Sequence, residues 1–409
     1  MSKNILMEAL RANPKTGNLF ISNAESISYK SGFPVLDYAL GNRINVYDEK
    51  GELVESYPSI GIPGGTYVTI VGKSAVGKTT FAVQAASNIV RPFDNGSVIH
   101  FDIERSSNQT RCSILSKFSI NDIREGKYIL RQIDCSIESL KLAITQIYLE
   151  KINNPELYRY KSGKKNEFGE EITPYVPTAI IVDSIASITT YVNPDTKEGR
   201  VKIGEITTQT DVMRLNGEIS RFLKETLEMT KEANIIIFFI NHIKQKPSVG
   251  FPQQADLRYL KQDETLPCGR ALQYYSSIMM RMTAVGSEKY ILEDDGFDGF
   301  GVQSQIMKSR SNVDGAVVPF VFSKINGYDS LRSSFQYAKE LSMIGGNKNG
   351  YYFIDDKEHK FHFNTIHEEF AQNRELYNVL YSHIIPVLEN TLSCVKPEEL
   401  QVIDEEYNY

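Results

Sequence analysis

From Thr66 onward, short apolar runs alternate with amphipathic stretches. Thr66–Val71 reads as a buried strand and Thr79–Val90 as the helix that follows it. Val98–Asp102 is a second strand, and Ile137–Leu149 carries apolar residues at helical spacing. Ala179–Val182 is a third strand ending in Asp183, Val212–Ala233 a long amphipathic helix, and Ile235–Ile240 an uninterrupted apolar strand. Strands apolar on both faces, alternating with helices, predict a mostly parallel sheet covered on both sides. After residue 275 the pattern changes. Ser277–Val285, Val302–Lys308 and Val317–Ser323 are strand-like with few helices between them, which predicts an antiparallel extension of the sheet. Residues 350–363 read as a hairpin turning at Asp355–His359, and the helical segment Glu369–Leu392 follows. The expected class is α/β, with a small α+β C-terminal domain.

Between these elements lie stretches with weaker signals. Residues 1–35 are mixed and polar, with a short helix expected near Ile5–Leu10. Tyr47–Glu52 is charged and turn-like, and residues 158–174, with Lys161, Lys164 and Lys165, read as a solvated insertion. The end, from Pro397 to Glu406, is acidic. There is no internal repeat. The chain has 409 residues, 41% of them hydrophobic and 23% charged, which is enough apolar material for one main domain with appendages. No apolar run approaches the roughly 20 residues of a membrane span. The N-terminus lacks the apolar region of a secretory signal, so a soluble, cytoplasmic protein with no membrane partner is expected. Four scattered cysteines without a C-x-x-C pair are expected to be reduced. A net charge of −6 decides nothing about partners, because a local basic strip still binds phosphates.

The densest chemical signal is Gly72-Lys73-Ser74-Ala75-Val76-Gly77-Lys78-Thr79, followed by Thr80. It is a complete G-x-x-x-x-G-K-[ST] phosphate loop between a predicted strand and a predicted helix, the context the motif requires. Gly72 and Gly77 let backbone N–H groups turn toward phosphates, and the helix start adds its positive dipole end. Lys78 supplies a point charge to the β and γ phosphates, and the Thr79 hydroxyl reaches Mg²⁺; ATP and Mg²⁺ are therefore the expected ligands. Asp183, at the end of an apolar strand about a hundred residues later, is the expected second Mg²⁺ group, with Ser184 beside it. Glu104, just past Phe101-Asp102-Ile103, reads from spacing alone either as a surface glutamate at a strand end or as the group that polarises the attacking water.

From about residue 27 to 392 the chain resembles the RecA family of recombination ATPases. Ile27 to Gly41, with Ser31-Gly32 and Leu36-Asp37-x-Ala39-Leu40-Gly41, is similar to the family's approach to the phosphate loop, Phe101-Asp102-Ile103-Glu104 to its catalytic-glutamate strand, and Val182-Asp183-Ser184 to its Mg²⁺ strand. Phe239-Ile240-Asn241-His242-Ile243-Lys244 resembles F-I-N-Q-I-R, with His242 where bacterial members carry the glutamine that senses the γ phosphate; phage members of the UvsX type also have Asn-His. Gly269–Ser276 is similar to the helix G-N-A-L-K-F-Y-A. Lys308-Ser309-Arg310 falls on the family's K-N-K, whose cations reach a neighbouring subunit's ATP, although composition alone reads it as a solvated strand end. Asn108 falls near the family's base contact. The divergence, segment 42–60 and His242 favour a phage or another mobile element as the origin; a phage protein would lie in a bacterial host's cytoplasm.

The resemblance implies an N-terminal oligomerisation segment over 1–40, a RecA-like ATPase core over 41–335 and a small C-terminal domain over 336–409. It implies catalytic roles for Glu104, His242, Lys308 and Arg310. It also implies two DNA loops, Asn193–Glu205 with Lys197, Arg200 and Lys202, and Lys244–Cys268 with Lys244, Lys246, Phe251, Arg258, Tyr259 and Lys261. Cations neutralise backbone phosphates and aromatics stack on bases, though a solvated loop fits both segments as well. Pro247, Gly250 and Pro252 argue against regular structure in the second. The expected activity is DNA-stimulated ATP hydrolysis by helical filaments on single-stranded DNA, with pairing to duplex DNA and help from single-strand-binding and mediator proteins. A DnaB-type hexameric helicase, or a non-catalytic ATP-binding paralogue, are the alternatives.

Overall fold

The computed structural model describes residues 27–48, 50–193, 198–202, 209–246, 258–286 and 297–392. The central sheet has nine strands. In chain order they are β1 (Tyr67–Gly72), β2 (Ser97–Asp102), β3 (Tyr128–Arg131), β4 (Thr178–Asp183), β5 (Ile235–His242), β6 (Ile278–Val285), β7 (Gly299–Ser309), β8 (Val317–Ser323) and β9 (Gly327–Asp329). Their spatial order is β9-β8-β7-β6-β1-β5-β4-β2-β3. From β6 to β3 every pairing is parallel, and β7, β8 and β9 add antiparallel. The predicted α/β class, parallel core and antiparallel extension are all present.

Strand periodicity divides the apolar residues between two layers. Ile236, Phe238 and Ile240 of β5 join one cluster with Phe81, Ala85 and Ile89 of helix α1 (Lys78–Val90). Ile235, Ile237 and Phe239 join a second, with Ile137, Leu140 and Ile144 of α2 (Ile137–Asn153) and Leu215, Ile219 and Phe222 of α3 (Gln209–Glu232). Both faces of β5 are thereby buried, which fixes its register.

Elsewhere the structure departs from the expected pattern. The charged turn near 47–52 joins two strands, Asn42–Tyr47 and Leu53–Ser59, which carry too many polar residues to read as strands. The stretch 158–174 is not simply solvated. Tyr47 N donates to Glu167 O at 3.0 Å and Tyr57 Oη to Lys165 O at 2.6 Å, so the two stretches form one appendage. The C-terminal hairpin is a three-stranded sheet, Ile344–Asn347, Gly350–Phe353 and Asp356–Phe361. Its turn is at Ile354-Asp355; Asp356–His359, expected as the turn, belong to an edge strand whose outward polarity reads as loop. The segment 369–392 is two helices, Ile366–Gln372 and Glu375–Glu389.

Helix α5 (Ser330–Glu340) runs across the boundary expected at 335/336, and its Phe335 packs on Tyr351, Phe361 and Phe363. One apolar cluster extends from Ile27 to Leu392. No helix among the described residues is long and apolar enough to cross a membrane. The expected Ile5–Leu10 helix, the acidic end, and most of the 1–40 segment lie outside the described residues.

Candidate nucleotide site and loop stem

The parallel strands bring their C-terminal ends together. In register, Gly72 at the end of β1 lies between His242 of β5 and Met282 of β6, and Asp183 of β4 lies opposite Asp102 of β2. The phosphate-loop residues and the carboxylates separated by a hundred positions therefore share one edge.

Two glycines shape the loop. A Cβ on Gly72 would stand 2.6 Å from the Met282 carbonyl oxygen, and Gly77 has φ +80° with Tyr328 Oη 2.6 Å from where its Cβ would be. Tyr328 Oη also donates to Val76 O at 2.6 Å, a brace with no signal in the sequence. Lys73, Ser74 and Ala75 form the exposed tip. Gly77 caps α1 without a side-chain hydrogen bond, leaving first-turn amides available to an anion.

Lys78 is buried, and its Nζ donates to the carbonyls of Gly72 (3.1 Å) and Lys73 (2.7 Å) and lies 3.5 Å from His242 Nδ1. Burial pushes its pKa down to about 8, against the pull of Asp183 and Glu104. Thr79 Oγ1 donates to Asp183 Oδ2 at 2.6 Å, while Thr80 is half-buried next in the helix. Burial raises the Asp183 pKa to about 6. A hydroxyl and a carboxylate side by side are the hard oxygen donors that suit Mg²⁺, so these residues fit the ion.

Glu104 stands across His242 from Lys78. Its Oε1 accepts from Ser184 Oγ at 2.5 Å and Ser187 Oγ at 3.2 Å, and lies 3.3 Å from His242 Nε2. Burial and the nearby Lys78 lower the His242 pKa, so the imidazole is neutral near pH 7. A neutral ring fits this position, with Nδ1 facing the ammonium and Nε2–H facing the carboxylate. The peptide between Asp183 and Ser184 is cis.

Behind Asp183 stands His100, fully buried, with Nδ1 2.9 Å from Tyr128 Oη and Nε2 3.9 Å from Asp183 Oδ2. Burial holds it neutral, with its pKa lowered to about 4. Asp102 accepts from Ser106 N, Ser107 N and Gln132 Nε2, tying down the chain beyond Glu104. Spacing did not flag His100, because a histidine inside an apolar strand gives no chemical signal by itself.

Three other expected residues make local contacts of their own. Asn108 caps the helix Gln109–Ser116, its Oδ1 accepting from Arg111 N at 2.7 Å. Lys308 Nζ donates to Gln273 O, and Arg310 Nη2 to Tyr274 O at 2.8 Å. Both cations thus cap the carbonyl end of α4 (Gly269–Tyr275), and their described contacts do not reach the phosphate loop of the same chain.

The ends of the second expected loop are ordered as a stem. Lys244-Gln245 pairs antiparallel with Glu264-Thr265, and Lys246 N donates to Asp263 O at 2.7 Å. Lys244, Arg258 and Lys261 are exposed; Arg258 lies 3.2 Å from Asp314 and its guanidinium sits 4.8 Å from the Tyr259 ring centroid. Phe251 lies outside the described residues, as does Lys197 of the first loop. That first segment is not all loop: Thr189–Asn193 pairs with Glu198–Lys202, which contains Arg200 and Lys202 in strand backbone.

No protein-family model matches the chain. It is similar to the RecA protein of Mycoplasma mobile, with 22% identity over 391 residues, covering 94% of this chain and 96% of that protein. RecA proteins of Chlamydia trachomatis (24% over 349 residues, 84% of each chain) and Chlamydia muridarum (24% over 351 residues, 84% of each) align over a shorter span.

Proposed function

We propose that this chain, a member of the RecA family, is a DNA-dependent ATPase that forms helical filaments on single-stranded DNA and pairs that strand with homologous duplex in recombination and repair. The observation that carries the reading is the convergence of Lys78, Thr79, Asp183, Glu104 and His242 on one sheet edge. Similarity to RecA proteins along most of the chain supports it.

In this reading the amides of 72–79 and Lys78 hold the β and γ phosphates of ATP. Thr79 and Asp183 would hold Mg²⁺, which would supply positive charge beside the phosphoryl oxygens. Glu104, kept in orientation by Ser184 and Ser187, takes a proton from the attacking water. His242 touches both Lys78 and Glu104 and begins the segment that leads to Lys244, so a phosphate that displaces Lys78 from His242 also acts on the loop stem. Lys308 and Arg310 act on the ATP of an adjoining copy, and assembly then controls turnover. Lys197, Arg200, Lys202, Lys244, Lys246, Phe251, Arg258, Tyr259 and Lys261 contact DNA. Residues 1–40 join subunits, 41–335 form the ATPase core, and 336–409 form the appended domain, with helix α5 shared between the last two. Single-strand-binding and mediator proteins assist loading.

The test is ATP hydrolysis with and without single-stranded DNA, with negative-stain images of the same samples. Strong stimulation with long helical filaments is expected. DNA-independent turnover, or rings, would move the assignment to another motor of the same fold.

A further inference from the structure

The stem of the second loop is held from beneath by a buried ion pair. Arg281 of β6 donates from Nη1 to Glu264 Oε2 at 2.7 Å and from Nη2 to Glu264 Oε1 at 2.9 Å. The same Nη1 donates to Tyr259 O at 2.8 Å, and Glu264 Oε2 also accepts from Lys261 N at 2.9 Å. The Glu264 side chain is 4% exposed and that of Arg281 13%. Around them lies a small separate apolar cluster of Val71, Leu260, Leu266, Met279 and Met307.

An apolar pair would fill this space at similar or lower energetic cost, because desolvating two charges offsets much of their attraction. What the ion pair adds is direction. A planar fork on a carboxylate admits one arrangement, whereas apolar packing lets a short stem slide. The groups it fixes are the Tyr259 carbonyl and the Lys261 amide, the backbone that carries the exposed cations Arg258 and Lys261. Through the Glu264-Thr265 ladder it also fixes Lys244. Arg281 lies in register with Val71, one residue before Gly72 of the phosphate loop. The strand bearing that loop thus lies between β5, which runs into one side of the stem, and β6, which grips the other.

We propose that Glu264 and Arg281 are positioning residues for the polyanion-binding surface, holding Lys244, Arg258 and Lys261 in one arrangement relative to the phosphate loop. The inference rests on the DNA-dependent ATPase reading. Two variants of the full chain test it. Arg281→Lys keeps the charge and loses the fork. Glu264→Gln with Arg281→Met removes both charges and leaves none orphaned. ATP hydrolysis titrated with fluorescein-labelled oligo(dT) gives the half-stimulating DNA concentration, and a fluorescent ATP analogue gives nucleotide affinity. Both variants should raise the half-stimulating concentration roughly tenfold. Nucleotide affinity, turnover without DNA and turnover at saturating DNA should stay within about twofold. An unchanged half-stimulating concentration in either folded variant overturns the proposal. So does an equal loss of nucleotide affinity, which would make the pair a general part of the fold. A wild-type chain that oligo(dT) neither binds nor stimulates overturns the parent reading, and this inference with it.

Discussion

Replacing Glu104 by Gln should separate nucleotide binding from turnover. The wild-type Oε1 accepts from Ser184 Oγ at 2.5 Å and from Ser187 Oγ at 3.2 Å, and faces His242 Nε2 at 3.3 Å. A glutamine carbonyl oxygen in the same place accepts all three, so packing and orientation survive. What disappears is the ability to take a proton. General-base catalysis contributes about 10²- to 10⁴-fold, which at about 1.36 kcal/mol per decade is roughly 2.7–5.5 kcal/mol of barrier. ATP affinity should change less than about tenfold, or about 1.4 kcal/mol, and in the direction of tighter binding, since a negative charge near the phosphates is lost. Single-turnover hydrolysis with enzyme in excess isolates the chemical step. Glu104→Asp keeps the carboxylate but draws it back by about 1.5 Å, one carbon–carbon bond, and should fall between the two. A Gln variant that hydrolyses within about threefold of wild type, with affinity intact, removes Glu104 from the base role.

Lys78→Ala should abolish nucleotide-dependent filaments, and wild-type affinity for ATP should itself depend on pH. Lys78 sits at about 8 in the free protein, so above that pH phosphate binding must take up a proton, and affinity should fall by up to about tenfold per unit; a flat titration between about pH 7 and about 9.5 contradicts this. Lys308→Ala with Arg310→Ala should abolish DNA stimulation while a monomer still binds nucleotide; surviving stimulation refutes a role for these cations across an interface. Lys151 is buried against the carbonyls of Val176 (2.7 Å) and Ala233 (2.8 Å), and burial lowers its pKa from 10.5 to about 7. Between those values the unfolded chain holds a proton the folded one has shed, so stability should climb with rising pH, by up to about 5 kcal/mol. Lys151→Met should flatten that slope in urea melts, and an unchanged slope assigns it to other groups.

Legibility followed the range of the interaction. The phosphate loop was readable because its residues are consecutive and their backbone conformation demands glycine at Gly77. Asp183 was readable as a strand end, because the position of a polar residue after an apolar run survives in one dimension, whereas spacing alone left Glu104, two residues past its strand, open. The partners packed around them were mostly not readable. Tyr328 beneath the loop and His100 behind Asp183 look like ordinary core aromatics until the chain is folded. The strands 42–47, 53–59 and 128–131 escaped, and the strand 356–361 was expected to begin only after His359, because strands half-exposed to water, or very short, lose the apolar excess that marks buried ones. Lys308 and Arg310 illustrate the converse. The resemblance alone picks them out, and among the described residues their side chains cap a helix end.

The position of β1 in the sheet bears on how the site can communicate. Gly72 is in register with His242 on one side and Met282 on the other, and the body of the β5 strand, residues 235–241, is buried on both faces. A slip of one residue would turn every apolar side chain to the wrong layer, so strand sliding is too costly to serve as the signal. Movement must then come from side chains at the strand ends. His242 touches Lys78 and Glu104 and leads to Lys244, whereas Arg281 donates its described side-chain hydrogen bonds to Tyr259 and Glu264 of the stem. In the proposed mechanism the two flanking strands divide the work: β5 carries His242, which lies against Lys78 and Glu104, and β6 carries Arg281, which holds the stem.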